Sequence, residues 1–272
     1  MEHHGEIPKK QNVVAIIPAR YASTRLPGKL LLTIAAEPMI LHTIRQAAAC
    51  KSVDRVLVAT DDDRIFRVAI ENGFEAVMSS ALHRSGSDRV AEVAESLPAE
   101  TIIVNVQGDE PTISPDTIDR AVRAMLSDKT ADIVTTSEPI EESADVTDPN
   151  IVKVVADNSG FALYFSRSPI PFPRLAKTRF GDWDRTLAAE PDLLSTYKKH
   201  TGLYVYRREF LLRFSRMEQT TLEKLEMLEQ LRALENGARI RVVESCSSSI
   251  GVDTMEDLER VRRLMEKSNE TV

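Results

Sequence analysis

Four groups of residues in this chain have types and spacing that could do chemistry. The first is Pro18-Ala19-Arg20-Tyr21-Ala22-Ser23-Thr24-Arg25-Leu26-Pro27-Gly28-Lys29. Arg20, Arg25 and Lys29 lie within ten residues, directly after an apolar run. Guanidinium forks and a point charge at the end of a strand are what a polyphosphate needs. A solvated basic loop is the plainer alternative. The segment is not a P-loop, because Leu30 follows Gly28-Lys29 and Ser23 stands where that motif has its first glycine. No Gly-x-Gly-x-x-Gly follows a strand, which removes a dinucleotide reading. The second group is Val106-Gln107-Gly108-Asp109-Glu110-Pro111, with Asp253 in Gly251-Val252-Asp253-Thr254. If Asp109 and Asp253 converge, they offer the one or two carboxylates that Mg²⁺ takes beside phosphate oxygens. Asp253 serves equally as the cap of a last helix. The third is Ser85-Gly86-Ser87-Asp88-Arg89, whose donors at a helix start suit a base or a phosphate, and suit capping as well. The fourth is Arg167, His200 and Tyr204, with His200 reading equally as a structural histidine.

These residues need a frame, and the hydrophobic pattern supplies one. Short β-branched runs at 13–17, 55–59, 75–79 and 101–106 read as strands. Helical patterns alternate with them: one opened by Pro38 through Cys50, then 62–72 stopped by Gly73, 87–97, and 114–126 opened by Ser114-Pro115. That alternation predicts an α/β, doubly wound, mostly parallel sheet. Ligands bind such sheets beyond the carboxyl ends of the strands, where 18–29, 60–63 and 107–111 sit.

The second half changes rhythm. Residues 151–156 and 161–165 flank Asp157-Asn158-Ser159-Gly160 and read as a hairpin. Residues 168–174 hold three prolines and read as an irregular loop, and 179–192, with the sole Trp183, as a mobile surface segment. A strand is expected at 202–206. Leu222, Leu225, Leu228, Leu231 and Leu234 predict one long helix over 220–236, with Glu223, Glu226 and Glu229 as its solvated stripe. A strand at 239–244 and a closing helix at 254–267 complete the chain. The break near 150 reads as a subdomain inserted on one sheet.

Composition narrows the class. The chain has 272 residues, 42% apolar and 28% charged, which is ordinary for a globular protein. A formal net charge of −7 argues against a nucleic-acid or anionic-membrane binder. Neither a membrane-spanning run nor a signal-peptide core occurs, so a cytoplasmic location is expected. Cys50 and Cys246 are far apart and read as structural.

Eight blocks now carry a resemblance: AIIPARYASTRLPGKLL, VATD, HRSGSDRVAEV, IIVNVQGDEP, ALYFSRSPIP, KHTGLYVYR, LEMLEQLR and GVDTMEDLERVR. In this order, over 13–263, the chain resembles the 3-deoxy-manno-octulosonate (Kdo) cytidylyltransferase, or CMP-Kdo synthetase, family. RYASTRLPGK and VQGDEP are the blocks that separate it from sialic-acid cytidylyltransferases, the near alternative; a nucleotide-binding module without catalysis is the other. The resemblance implies one nucleotidyltransferase (nucleotide-diphospho-sugar transferase) domain over 11–267. Residues 13–150 would be its nucleotide-binding half, 151–250 a smaller sugar-binding and dimerisation subdomain, 251–267 the closing helix, and 1–10, with His3 and His4, an extension. It implies CTP and Kdo as substrates, Mg²⁺ as cofactor, a homodimer, a role in lipopolysaccharide synthesis, and no nucleic-acid or membrane partner. Pro18, Ala19, Arg20, Arg25, Lys29, Ser85, Gly86, Arg89 and Gln107 would hold the nucleotide. Gln107, Arg167, His200, Tyr204, Glu229 and Gln230 would line the sugar pocket, the last two at the exposed margin of the leucine helix. Arg20, Lys29, Asp109 and Asp253 would be catalytic, the two aspartates as metal ligands. Ala35-Ala36-Glu37 lacks a glycine often found in that turn, Ser87 replaces a usual threonine, and Met255 a common proline.

Overall fold

The computed structural model describes residues 12–23 and 25–270; the expected extension 1–10 lies outside the described residues. The first half alternates as β1 (Val13–Ala19), a β2–β3 hairpin (Thr33–Ile34, Glu37–Pro38), α1 (Met39–Ala48), β4 (Arg55–Thr60), α2 (Asp63–Glu71), β5 (Glu75–Met78), α3 (Gly86–Ala94), β6 (Ile102–Asn105) and α4 (Pro115–Ser127). The second half follows as β7 (Ile133–Pro139), α5 (Ser143–Thr147), β8 (Lys153–Ala156), β9 (Ala162–Ser166), α6 (Arg174–Phe180), α7 (Trp183–Ala189), β10 (Lys198–Arg207), α8 (Arg208–Phe214), α9 (Thr221–Glu226), α10 (Glu229–Glu235), β11 (Ile240–Glu244) and α11 (Met255–Glu270).

The main sheet runs β11-β7-β10-β6-β1-β4-β5, with β8 and β9 added beside β10. β1 pairs in parallel with β4 and β6, β4 with β5, and β7 with β11. Within that path β10 runs antiparallel to β6 and β7. The expected doubly wound, mostly parallel α/β sheet is therefore present. Every residue of β1 is buried. Val13, Ala15, Ile17 and Ala19 face one core with α1, α2, α4 and α11, while Val14 and Ile16 face another with α3, α8 and α10. A strand covered on both faces must be apolar throughout, and that is why this run was legible as a strand.

Several elements differ from the sequence expectation. β7 was not expected, because its Thr135, Thr136, Ser137 and Glu138 look polar. All four are buried, and Glu138 forms an ion pair with Lys199 of β10 at 3.0 Å. β10 begins at Lys198, not 202, and shifts register between Thr201 and Tyr204. Residues 179–192 are not a mobile surface segment. They contribute to α6, α7 and a following 3₁₀ turn, and Trp183 packs edge-on between Phe172 and Tyr197 over a small core of Ile140, Val146, Leu187 and Tyr197.

The single helix over 220–236 is two helices. Met227 adopts φ 54 and Leu228 is extended, separating α9 from α10. Leucines at three-residue steps drift by roughly 60° per step around a 3.6-residue helix. One straight helix would carry them off a single face; after the break Leu228 and Leu231 are buried while Leu225 is 75% exposed. The acidic stripe is not solvated either. Glu223 is buried in a capping box with Thr220 and pairs with Arg232 at 3.2 Å.

Candidate active site

Three strand-end segments build one cleft. β1 ends at Ala19, and the loop after it is closed by Gly28 N–H donating to Tyr21 O at 3.2 Å. Gly28 has φ 65, and a Cβ there would stand 3.0 Å from the Tyr21 ring, so glycine suits on both counts. Lys29 then starts a 3₁₀ turn. The loop after β6 comes so near β1 that a Cβ on Gly108 would stand 3.1 Å from Pro18 O. Thr43 of α1 pins this loop from below, its hydroxyl donating to Gly108 O at 3.0 Å. The third segment precedes α11, and Val252 N–H donates to Asp109 O at 2.9 Å.

This stitching brings the two expected carboxylates together. Lys29 Nζ donates to Asp109 Oδ2, to Asp253 Oδ1 at 2.9 Å and to Val252 O at 3.0 Å. Arg25 Nη2 reaches Asp253 Oδ2 at 2.9 Å. Asp253 does not cap the last helix: Thr254 Oγ1 accepts from Asp257 N–H at 3.2 Å. Burial opposes the Lys29 charge, but Asp109 and Asp253 outweigh it and raise its pKa above the usual lysine value. Lys29 is therefore a fixed cation between two anions. Oxygens of Asp109 and Asp253 converging on one cation fit the hard-oxygen, low-carboxylate set that Mg²⁺ takes beside phosphates. Among the described residues no group of three or more His, Cys, Asp or Glu is placed to hold a metal.

The cleft measures about 210 Å³ and is lined by all nine expected nucleotide residues: Pro18, Ala19, Arg20, Arg25, Lys29, Ser85, Gly86, Arg89 and Gln107. Ser85 caps α3, its hydroxyl accepting from Asp88 N–H at 3.1 Å, which leaves Gly86 facing Pro18 and Gln107. Arg89 is buried and committed to Asp61 Oδ2 at 2.8 Å and to Ser79 Oγ, so it ties the ends of β4 and β5 to α3. Gln107 Nε2 donates to Asn105 Oδ1 at 3.2 Å. Ser23, His83 and Arg84 also line the cleft and were not expected, although His83-Arg84 stand directly before the Ser85-Gly86 pair. Glu110, next to Asp109, was missed too; burial pushes its carboxyl up to about 7, against the opposing Ser249 hydroxyl.

Comparison with known proteins places this arrangement. A cytidylyltransferase family model matches residues 14–240. The 3-deoxy-manno-octulosonate cytidylyltransferase of Geobacter sulfurreducens is 51% identical over 250 residues, 92% of this chain and 98% of that protein. The chain belongs to the 3-deoxy-manno-octulosonate cytidylyltransferase family. The relative of the same name from Trichlorobacter lovleyi is 50% identical over 94% of this chain and 99% of its own. A solved structure of CMP:2-keto-3-deoxy-manno-octonic acid synthetase complexed with CTP matches at TM-score 0.85 and 39% identity, over 95% of this chain and 100% of that one. The 4-diphosphocytidyl-2C-methyl-D-erythritol synthase of Anaerococcus prevotii, at TM-score 0.59 and 14% identity, shares the fold.

The residues that the family resemblance sends to the sugar are less tightly gathered. Apart from Gln107, they do not line the 210 Å³ cleft. Glu229 lines a second, more open cleft that shares His83, Arg84 and Ser85 with the first. Its carboxylate accepts from Ser87 Oγ at 2.8 Å, so the serine in place of the usual threonine keeps a working hydroxyl. Gln230 is not at an exposed margin: it is 4% exposed, and its Nε2 has no hydrogen-bond partner. His200 and Tyr204 sit ring to ring at 5.4 Å, with Phe165 edge-on to His200 at 5.0 Å. Burial drives the His200 pKa down to about 3, and Nε2 pairs with Thr135 Oγ1 at 2.8 Å. His200 is thus a neutral hydrogen-bonding group and not part of a cationic centre. Arg167 donates from Nε to Glu226 O at 2.7 Å and from Nη1 to Pro149 O at 2.8 Å.

Proposed function

We propose that this chain transfers the cytidylyl group of CTP to the anomeric hydroxyl of Kdo. The sugar oxygen bonds to the α-phosphorus, the bond from that phosphorus to the bridging oxygen breaks, and CMP-Kdo and pyrophosphate result. The observation that carries this reading is the Lys29, Arg25, Asp109 and Asp253 cluster beside the Ser85-Gly86 helix start, all on one cleft. Its ligand identity follows from relatives of that name at about half identity over nearly their whole length.

Such transfers depend mainly on positioning and electrostatics. Arg20 and Arg25 would bind the phosphate chain, Arg25 exchanging part of its contact with Asp253. Lys29, already charged and fixed, would meet charge that develops on the phosphate oxygens, without reorganisation. Gly86 would admit the nucleotide close to the start of α3, where backbone N–H groups face an anion or a base edge. Gln107 would orient sugar or nucleotide. Asp109 and Asp253 would hold Mg²⁺, which when bound neutralises phosphate oxygens and polarises the reacting phosphorus. Arg167, His200, Tyr204, Glu229 and Gln230 would form the acceptor side, His200 as a neutral partner. A cytoplasmic homodimer serving lipopolysaccharide synthesis belongs to the same proposal. No helix among the described residues is long and apolar enough to cross a membrane.

The experiment is pyrophosphate release by purified protein with CTP, Kdo and Mg²⁺. Release is expected, and EDTA should abolish it. Equal rates with ATP or GTP would remove the cytidine assignment, and preference for a sialic acid over Kdo would move the acceptor.

A further inference from the structure

Behind the Lys29 cluster lies a second set of contacts that the proposed reaction does not use. Residues between β11 and α11 lack regular structure, yet they must deliver Asp253 to a fixed place. Ser249 is held on two sides by acids, one of them, Glu138, fully buried. Its backbone N–H donates to Glu138 Oε1 at 3.1 Å, and its hydroxyl donates to Glu110 Oε2. Glu138 lies on β7, is 2% exposed and is itself held by Lys199 of β10 at 3.0 Å. Glu110 is the residue after Asp109. A parallel stitch runs beside this one: Ile250 N–H donates to Thr112 Oγ1 at 2.9 Å, and Val252 N–H to Asp109 O at 2.9 Å. Gly251 between them passes so close that a Cβ would stand 3.1 Å from Glu110 Oε1.

We propose that Ser249 is a positioning residue, which clamps the loop before α11 between Glu138 and Glu110 and so sets Asp253 opposite Asp109. The inference rests on the reading of Asp253 as a catalytic carboxylate. The hydroxyl is the part that matters. A buried carboxylate oxygen deprived of its donor is costly, so Glu110 and the loop would shift to find another. Asp253 lies four residues on, and displacements of about an ångström at such sites cost rates of up to about a hundredfold.

The test compares Ser249→Ala, Ser249→Thr, Asp253→Asn and the double variant Ser249→Ala/Asp253→Asn. Ser249→Ala is expected to lower kcat by about tenfold to a hundredfold and to raise the Mg²⁺ needed for half-maximal rate. CTP affinity measured by calorimetry without divalent metal should stay near that of the unaltered chain. Ser249→Thr keeps the donor and should recover most of the loss. Because Ser249 acts through Asp253, the double variant should be little slower than Asp253→Asn alone. Losses that multiply in full would show a general structural role and overturn the proposal. Normal turnover and metal requirement in Ser249→Ala, with Asp253→Asn slow, would also overturn it. Normal turnover by Asp253→Asn would instead overturn the reading on which it rests. Thr112→Val cuts the neighbouring stitch at Ile250 and the 3.4 Å contact of Thr112 Oγ1 with Ser249 Oγ while leaving the Ser249 hydroxyl on Glu110, and supplies the same readout should Ser249→Ala not fold. A raised metal requirement in it supports the clamp, and an unchanged one counts against it.

Discussion

Asp109 and Asp253 share one ammonium: Lys29 Nζ donates to Oδ2 of the first and, at 2.9 Å, to Oδ1 of the second. Two carboxylates from the ends of distant segments are thereby held on a common point. The cation keeps them from repelling each other before a ligand arrives. With Thr254 capping α11, Asp253 has no competing helical duty.

Asp109→Asn and Asp253→Asn each remove one negative oxygen while nearly keeping shape. Each is expected to lower kcat by about a hundredfold or more, the size of losing one electrostatic stabiliser. The thermal midpoint should move little in Asp253→Asn, since Asp253 is half-exposed, and fall somewhat in Asp109→Asn, whose carboxylate is the less exposed partner of Lys29. Steady-state kinetics over a range of Mg²⁺ concentrations checks it. A normal kcat in Asp253→Asn would remove that residue from the metal set.

Lys29→Met keeps the aliphatic stem and deletes the charge. Weaker CTP binding and slower turnover are expected together, because the same nitrogen organises both carboxylates and faces the cleft. The Lys29 pKa is raised, so its pairing is fully present below the lysine value of the unfolded chain and is lost only as pH rises through the still higher folded value. The neutral range should therefore show no Lys29 titration in the rate. CTP affinity and turnover like those of the unaltered chain would make Lys29 a bystander.

How far the sequence could be read follows from where information lies in it. β1 announced itself because burial on both faces forces an unbroken apolar run. β7 hid because its threonines and Glu138 find partners across the sheet, which no local pattern reveals. That the expected nucleotide residues gather on one cleft was legible because strand ends in a parallel sheet point to one edge. The α9–α10 break was not, because it depends on a residue of unremarkable type, Met227, in a left-handed conformation. Hence Gln230 was expected at a margin and lies buried, while Glu226 was expected in water and accepts from Ser166 Oγ at 2.7 Å and Arg167 N–H at 2.9 Å. Arg89 showed its position in the sequence, but not that Asp61 already claims it.

Ala35 and Ala36 join β2 to β3 with φ 47 and φ 67. Left-handed backbone at both central positions is a hairpin turn that favours Asn-Gly or Gly-Gly, and alanine is strained there by roughly 1–2 kcal/mol per residue. The glycine missing at this turn has a physical price. Ala36→Gly should raise the thermal midpoint by a few degrees, on the order of 1 kcal/mol, with kcat unchanged. A lower midpoint would show that the turn is supported from elsewhere.

His200 has a pKa depressed to about 3 by burial. The unfolded chain binds a proton there near the ordinary histidine value of about 6.5, while the folded chain does not. Stability is therefore complete above about 6.5 and falls as pH drops towards about 3. His200→Gln should flatten the loss of thermal midpoint between neutral and mildly acidic buffer. It should leave the pH profile of kcat unaltered in shape, because the native histidine carries no charge there. An ionisation near 6.5 that vanishes from the rate profile in this variant would return His200 to the charged groups of the site.

Arg167 is where the acceptor's carboxylate is expected to be met, and its geometry limits how. Kdo is an acid, so seating it beside a triphosphate brings two anions together, and a cation on the sugar side is needed. His200 cannot supply it. Arg167 Nε and Nη1 already donate to Glu226 O and Pro149 O, which leaves the Nη2 side of the fork to reach a ligand. Arg167→Lys keeps the charge, yet a lysine has no fixed fork with which to hold both carbonyls and still face outward. Two effects should separate. The thermal midpoint should fall, as the segment after β9 loses its ties to the α9–α10 break and to residue 149. The KM for Kdo should rise with CTP affinity nearly unchanged, because the triphosphate is expected at the other loop. Loss of a charge-assisted pair is worth about 1.5–3 kcal/mol, so kcat/KM for Kdo should drop roughly ten- to a hundredfold. Separate KM measurements for the two substrates decide it. A defect confined to CTP would place Arg167 at the nucleotide, and a lowered midpoint with both KM values normal would make it a strut of the fold.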